Sequence, residues 1–201
     1  MRMNKFLFLI LLFINHSADS EWKLRKEKDE IKVFTRSIEG SSFDEFKGIT
    51  TIEKSNLSEV LDVILDVENY ESLFPDCMNP KILKQEGKYY DIHYIQVSAP
   101  WPVKNRDTVY EQKAEVDKNG KHAIIFLKPL PDFIPENKDF VRIREGSGFW
   151  ELDEDNSKNV TVIYQFQGEP GGEIPAWLAN SFVITQPFQT LQNLKSRLKS
   201  K

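Results

Sequence analysis

Gly171-Gly172-Glu173-Ile174-Pro175-Ala176-Trp177-Leu178-Ala179-Asn180 is the stretch on which the fold turns. Adjacent glycines reach positive φ without the Cβ clash other residues meet, so they mark a tight turn. Pro175 suits the first turn of a helix, where its missing N–H costs nothing. Beyond it, Trp177, Leu178, Phe182, Leu191, Leu194 and Leu198 fall broadly on one face. That spacing predicts a closing helix from 175 to about 199. Pro187 sits inside it and is expected to remove one hydrogen bond and bend the axis.

Working back from this helix, residues 31 to 168 read as antiparallel strands with one helical interruption. Ile31 to Arg36 and Phe43 to Ile52 form a first hairpin around Gly40-Ser41-Ser42. Trp22 to Asp29 ahead of them is a polar lead-in, readable as a short helix or an edge strand. Asn56 with Glu59 has capping-box spacing, and Leu57, Val60, Leu61, Ile64 and Leu65 follow a helical period. Pro75 and Pro80 close that region. Further strands are expected at 81–85, 89–98, 106–116, 122–127, 141–152 and 160–167. Asn119-Gly120 is a strong hairpin signal among them. Ala99-Pro100-Trp101-Pro102 breaks the sheet, since proline donates no ladder bond. The plan is α+β, a long sheet followed by one long helix, with room for a cavity between them.

The chain has 201 residues, 40% hydrophobic and 12% aromatic, enough for one sizeable domain with a Phe-rich core. Met1 to Lys5 is basic, Phe6 to Ile14 apolar, and Ala18-Asp19-Ser20 fits a cleavage signal. Residues 1–20 therefore read as a signal peptide, too short in its apolar run for the roughly 20 residues of a membrane span. The expectation is an exported protein, periplasmic or secreted, whose domain is 21–201. Cleavage removes Arg2, Lys5 and Asp19 from the 27 basic and 31 acidic residues, leaving a net charge of −5. That charge argues against nucleic acid as a partner. Cys77 is the single cysteine, so no internal disulfide can form.

Catalytic signatures are missing from the sequence. His93 and His122 have no second His or Cys at metal-ligand spacing, so no metal site is expected. No nucleophile elbow, phosphate loop or dinucleotide fingerprint occurs, and no cofactor is called for. Cys77 with His93 is the one conceivable nucleophile and base. Arg106 and Arg142 lie within β-prone runs and are readable either as solvent-facing or as buried in a cavity. In the buried reading each would pair with a carboxylate such as Asp91 or Glu151 and orient the head of an amphipathic ligand. Tyr90, Tyr94, Tyr110, Phe126, Trp150, Tyr164 and Phe166 recur on alternating strand positions, which suits core or cavity wall.

In order and spacing, several segments resemble a START domain, the steroidogenic-acute-regulatory-related lipid transfer family, in its stand-alone bacterial form. They are Ile31 to Arg36, Phe43 to Gly48, Ala99 to Val103 with Asn105-Arg106-Asp107, Val141-Arg142, and Pro170 to Asn180. The resemblance implies a helix-grip fold, a curved antiparallel sheet wrapped around the C-terminal helix with an internal hydrophobic cavity. It implies a lipid, sterol or fatty-acyl ligand, no metal and no cofactor. Arg106, Arg142, Tyr94, Tyr110, Trp150, Tyr164, Trp177, Leu178 and Phe182 become the candidate ligand-binding residues. Phe133 and Ile134 in the Pro-rich loop 129–135, and Gly171 and Gly172, become candidate gates. One departure is Leu73-Phe74-Pro75, where family members often carry a tryptophan.

The expected function is therefore a monomeric carrier of a hydrophobic molecule, touching membranes transiently. Two alternatives stand beside it. An enzyme acting on a hydrophobic substrate would use His93, Asp91, Arg106 and Arg142. A partner-binding groove would expose an apolar patch around Phe133-Ile134.

Overall fold

A computed structural model describes residues 21–199, apart from the side chains of Ala176 and Trp177. The expected signal peptide lies outside the described residues.

The lead-in is an edge strand, β1 (Lys23–Lys28), whose charged and exposed side chains blunt the open edge. It pairs with β2 (Ile31–Arg36), where Ile31, Val33 and Thr35 alternate inward. β3 (Glu45–Ile52) completes the expected hairpin. The next segment changes period because its end is capped on both sides. Asn56 Oδ1 accepts from the Glu59 N–H at 3.0 Å, and Glu59 Oε2 accepts from the Asn56 N–H at 3.1 Å. That box starts α1 (Leu57–Ile64), which buries Leu57, Val60, Leu61, Val63 and Ile64. A single 3₁₀ turn then leads into the short α2 (Tyr70–Leu73).

The remaining strands are β4 (Cys77–Gln85), β5 (Tyr90–Val97), β6 (Arg106–Val116), β7 (His122–Pro129), β8 (Val141–Arg142), β9 (Glu145–Glu154) and β10 (Val160–Glu169). They form one curved sheet in the order β1-β2-β3-β10-β9-β7-β6-β5-β4. Two expectations need correction. β4 starts at Cys77 and runs through Pro80, because it is an edge strand whose bulges absorb the missing N–H. The run 141–152 is not one strand. Val141–Arg142 pairs parallel to β6, and a break at Ile143-Arg144 precedes β9.

The chain closes with α3 (Ala176–Asn180), a π-helical turn over Ser181–Thr185, and α4 (Gln186–Lys199). α3 begins on the Pro175 carbonyl, which accepts from Leu178 and Ala179. Pro187 acts as a helix breaker of an unexpected kind. Its ring cannot donate to Val183, and just before it the Gln186 N–H reaches back five residues to Ser181 O. The helix accommodates proline by widening. Below this point α4 packs on β3, closest at Gly48, where an added Cβ would stand 2.8 Å from Leu191 Cδ1. Leu191, Leu194 and Phe188 are buried there with Ile31, Val33 and the apolar face of α1. This is a sheet gripping a helix, as expected.

Candidate functional site

Between the upper half of that helix and the sheet lies a cavity of about 170 Å³. Its wall is aromatic: Phe43, Phe74, Tyr110, Tyr164, Phe166 and Phe182 all line it. Phe182 comes from the π-turn, so the widened helix presents its ring to the cavity. Phe74 packs edge-on against Tyr70, Trp150 and Tyr164. Phe166 is held by glycines. A Cβ on Gly148 would stand 2.4 Å from its Cδ2, and one on Gly168 2.7 Å from its Cε1. Burial pushes the phenols of Tyr110 and Tyr164 well above their ordinary value, so both remain neutral.

A polar network sits on the sheet side. His93 lines the cavity, and its Nδ1 lies 2.6 Å from Asp91 Oδ1. Asp91 Oδ2 also accepts from Gln112 Nε2 at 2.8 Å. Gln112 Oε1 faces the Tyr70 hydroxyl at 2.9 Å, and that hydroxyl also lies 3.0 Å from Ile64 O. All four residues are buried. A buried network this fully bonded holds His93 in one orientation. Cys77 lines the same cavity, but burial pushes its thiol up to about 12. It is thus a protonated, poorly nucleophilic thiol.

At the other end stands Arg106, 1% exposed. Nη1 donates to Lys104 O and Nη2 to Gly171 O, while Nε is buried without a partner. Arg106 borders both the cavity and an open groove of about 590 Å³ beside Pro102, Ile174 and Pro175. A second open groove, about 600 Å³, shares Phe43, Asp44, Glu169 and Val183 with the cavity. Gly172 borders both grooves and Gly171 the second, with φ of +65° and +70°. The glycine turn and α3 therefore border the grooves that adjoin the cavity.

The structure brings Arg106, Tyr110, Tyr164 and Phe182 together on this cavity. Other candidates fall elsewhere, and strand alternation is the reason. His93 and Ile95 face the cavity, so Tyr94 between them faces the outer side of the sheet. There it packs with Ile92 and Val109 under Leu130 and Ile134. Arg142 is on that side too, and its partner is Asp107 rather than the expected Asp91 or Glu151. Its Nη1 also donates to Pro131 O and Ile134 O, fastening the Pro-rich loop to the outer face. Phe133 and Ile134 thus sit away from those grooves, Phe133 as an exposed ring and Ile134 packed down. Trp150 is fully buried behind the wall, stacked on Tyr164 at 3.9 Å and 3°. Leu178 is buried but does not line the cavity, and the Trp177 side chain lies outside what is described.

Sequence reading missed Phe74, Gln112 and Tyr70 as contributors, and it left Phe166 undivided between core and cavity wall. For Gln112 a signal existed: it sits in an alternating strand with Tyr110 and Ala114, where a solvent-facing polar residue would be out of phase. It also missed a surface group on neighbouring strands, where His122, Glu151 and Asp153 bring ligand atoms within 4.8 Å of one another. His122 Nδ1 lies 2.7 Å from Asp153 Oδ1, which raises the histidine above its ordinary value and favours an ion pair.

The START domain profile matches residues 15–201. An uncharacterised protein of Pseudomonas aeruginosa is 35% identical over 98% of this chain and 96% of its own length. Human phosphatidylcholine transfer protein is 24% identical over 81% of this chain and 77% of its own. Among solved structures, a STAR-related lipid transfer protein from Xanthomonas axonopodis superposes with a TM-score of 0.80 at 38% identity. That match covers 89% of this chain and 98% of the other. Human STARD10, at 18% identity and a TM-score of 0.73 over 87% of this chain and 71% of its own, shares the fold. With the helix gripped by its sheet and the aromatic cavity between them, this chain belongs to the START domain family.

Proposed function

We propose that this protein binds a hydrophobic molecule in the aromatic cavity and carries it between membranes. The observation that carries the reading is the cavity itself, a mostly apolar chamber between sheet and π-turn whose polar lining includes His93, the buried Arg106, Asp44 and Glu169. Burying apolar ligand surface there is worth about 25 cal/mol per Å², set against the costs of association. At about 170 Å³ the chamber is smaller than the roughly 300–1,000 Å³ usual for drug-sized ligands. A bulky lipid therefore requires widening, and the mouth formed by Gly171, Gly172 and α3 is where the chain yields. Relatives named as lipid transfer proteins support the reading at this general level.

Trp101 is 92% exposed, on the loop that lines the Arg106 groove through Pro102 and Val103. An indole displayed in this way suits the membrane–water interface, so the mouth would face the bilayer during exchange. Residues 1–20 support export, and the protein would work as a monomer beyond the inner membrane or outside the cell. Native mass spectrometry of the purified chain with lipid extraction tests the carrier reading. A stoichiometric co-purified amphiphile supports it. A protein that arrives empty, and takes no lipid from vesicles, overturns it.

The enzymatic alternative draws on one observation, the 2.6 Å His93–Asp91 pair facing the cavity, which resembles a base with its orienting carboxylate. Turnover of a hydrophobic ester that disappears in His93→Ala would favour it over carriage.

A further inference from the structure

We propose that Arg106 is the recognition point for an anionic head, a carboxylate or phosphate monoester, on a single-chain amphiphile whose apolar part lies among the cavity's rings. The inference rests on the carrier reading and names the ligand class.

Arg106 is buried yet has no counter-charge among the described residues. Its two recorded partners, Lys104 O and Gly171 O, are neutral carbonyls, and Nε has none. A buried guanidinium is normally neutralised by a carboxylate, because an unpaired buried charge is costly. The adjacent acid cannot serve. Asp107 points to the opposite face of β6 and spends both oxygens on Arg142. Asp44 and Glu169 line the same cavity, but they bond to Ser37 and Ser41 and form no ion pair with Arg106. Burial lowers Arg106 from its ordinary value with no acidic neighbour opposing it. The side chain stays charged all the same, since arginine does not deprotonate in proteins.

Position makes the unmatched charge useful. Arg106 stands where the apolar cavity meets the groove under the glycine turn. Gly172 covers it with backbone only, and even an added Cβ would stand 4.0 Å from Nη2. An oxyanion arriving head-last would find the free Nε–H and the fork of a desolvated guanidinium, the geometry that favours carboxylate and phosphate. The narrow chamber fits one chain better than two.

The test compares dodecanoate with dodecanol by calorimetry on the full protein, at fixed salt and at neutral pH. The two probes share a chain and differ in the head. Acetate and inorganic phosphate serve as free anions without a chain. The expected result is dodecanoate binding at least roughly tenfold more tightly than dodecanol. That preference should vanish in Arg106→Gln and be partly kept in Arg106→Lys. The wild-type comparison stands even if Arg106→Gln fails to fold. Equal binding of the two probes overturns the anionic head while leaving carriage intact. Acetate or phosphate matching dodecanoate overturns the amphiphile in favour of a free anion. Binding of neither chain overturns this proposal and the carrier reading together.

Discussion

Arg142 and Asp107 meet in a two-pronged ion pair, Nε to Oδ1 at 2.8 Å and Nη2 to Oδ2 at 2.9 Å, on the face of the sheet away from the cavity. Both are buried, and the arginine also holds the carbonyls of the Pro-rich loop. Asp107→Ala leaves that guanidinium buried without its partner and should cost about 3–5 kcal/mol in urea unfolding. Asp107→Leu with Arg142→Leu should recover much of the loss. A double variant as unstable as the single one would mean that the loop's hydrogen bonds, not the charge, set the stability.

His122 offers a pH-dependent contact. Its hydrogen bond to Asp153 raises it above its ordinary value, so the folded state holds the proton more tightly than the unfolded chain. The stabilisation is fully present below about pH 6.5 and is lost as pH rises through the elevated value. Side chains 39% and 57% exposed limit it to about 0–1 kcal/mol. Proton NMR should show His122 titrating above ordinary histidine, and Asp153→Asn should return it. A titration unchanged by that substitution would break the argument.

Cys77, with its thiol pushed up to about 12 by burial, should react slowly with a thiol reagent at pH 8 in the native protein. In denaturant it should react at the rate of an ordinary thiol. Because Cys77 lines the cavity, bound ligand should slow the native reaction further. Rapid native labelling would show that the cavity opens readily to water.

Gly148 is required by Phe166. In Gly148→Ala the new Cβ meets Gln165 O and Phe166 Cδ2, each at 2.4 Å, and the backbone contact cannot be relieved by a rotamer change. The expected cost is about 1–3 kcal/mol, read as a lowered melting temperature. The ring should also be pushed into the cavity, so ligand occupancy in native mass spectrometry should fall. Unchanged occupancy would show that Phe166 is not a determinant of the cavity's size.

Several elements could be read from residues alone because their signals are local. Asn56 and Glu59 announce a capping box, and the Gly171-Gly172 turn with Pro175 announces the closing helix. Arg106 and Tyr110 were legible because they share one strand face. Tyr94 and Arg142 were misplaced because alternation gives two faces without saying which is inner. That choice is made by pairing at long range, here by the position of β6 between β5 and β7. Asp91 and His93 lie two apart on one strand face, but their links to Gln112 and Tyr70 reach another strand and a helix, and no spacing in sequence encodes those. Phe166 could be read as core or cavity wall but not assigned between them, for a related reason. Its place depends on Gly148 from the neighbouring strand β9.

The π-turn at Ser181–Thr185 divides the terminal helix into two territories with different obligations. Below it, α4 is locked to Gly48 of β3 through Leu191. Within the turn itself, Phe182 and Val183 belong to the cavity wall. Changes in the turn can therefore resize the chamber while Leu191 and Leu194 farther along α4 keep the helix packed on the sheet. One proline makes tolerance and specificity separately tunable within a single helix.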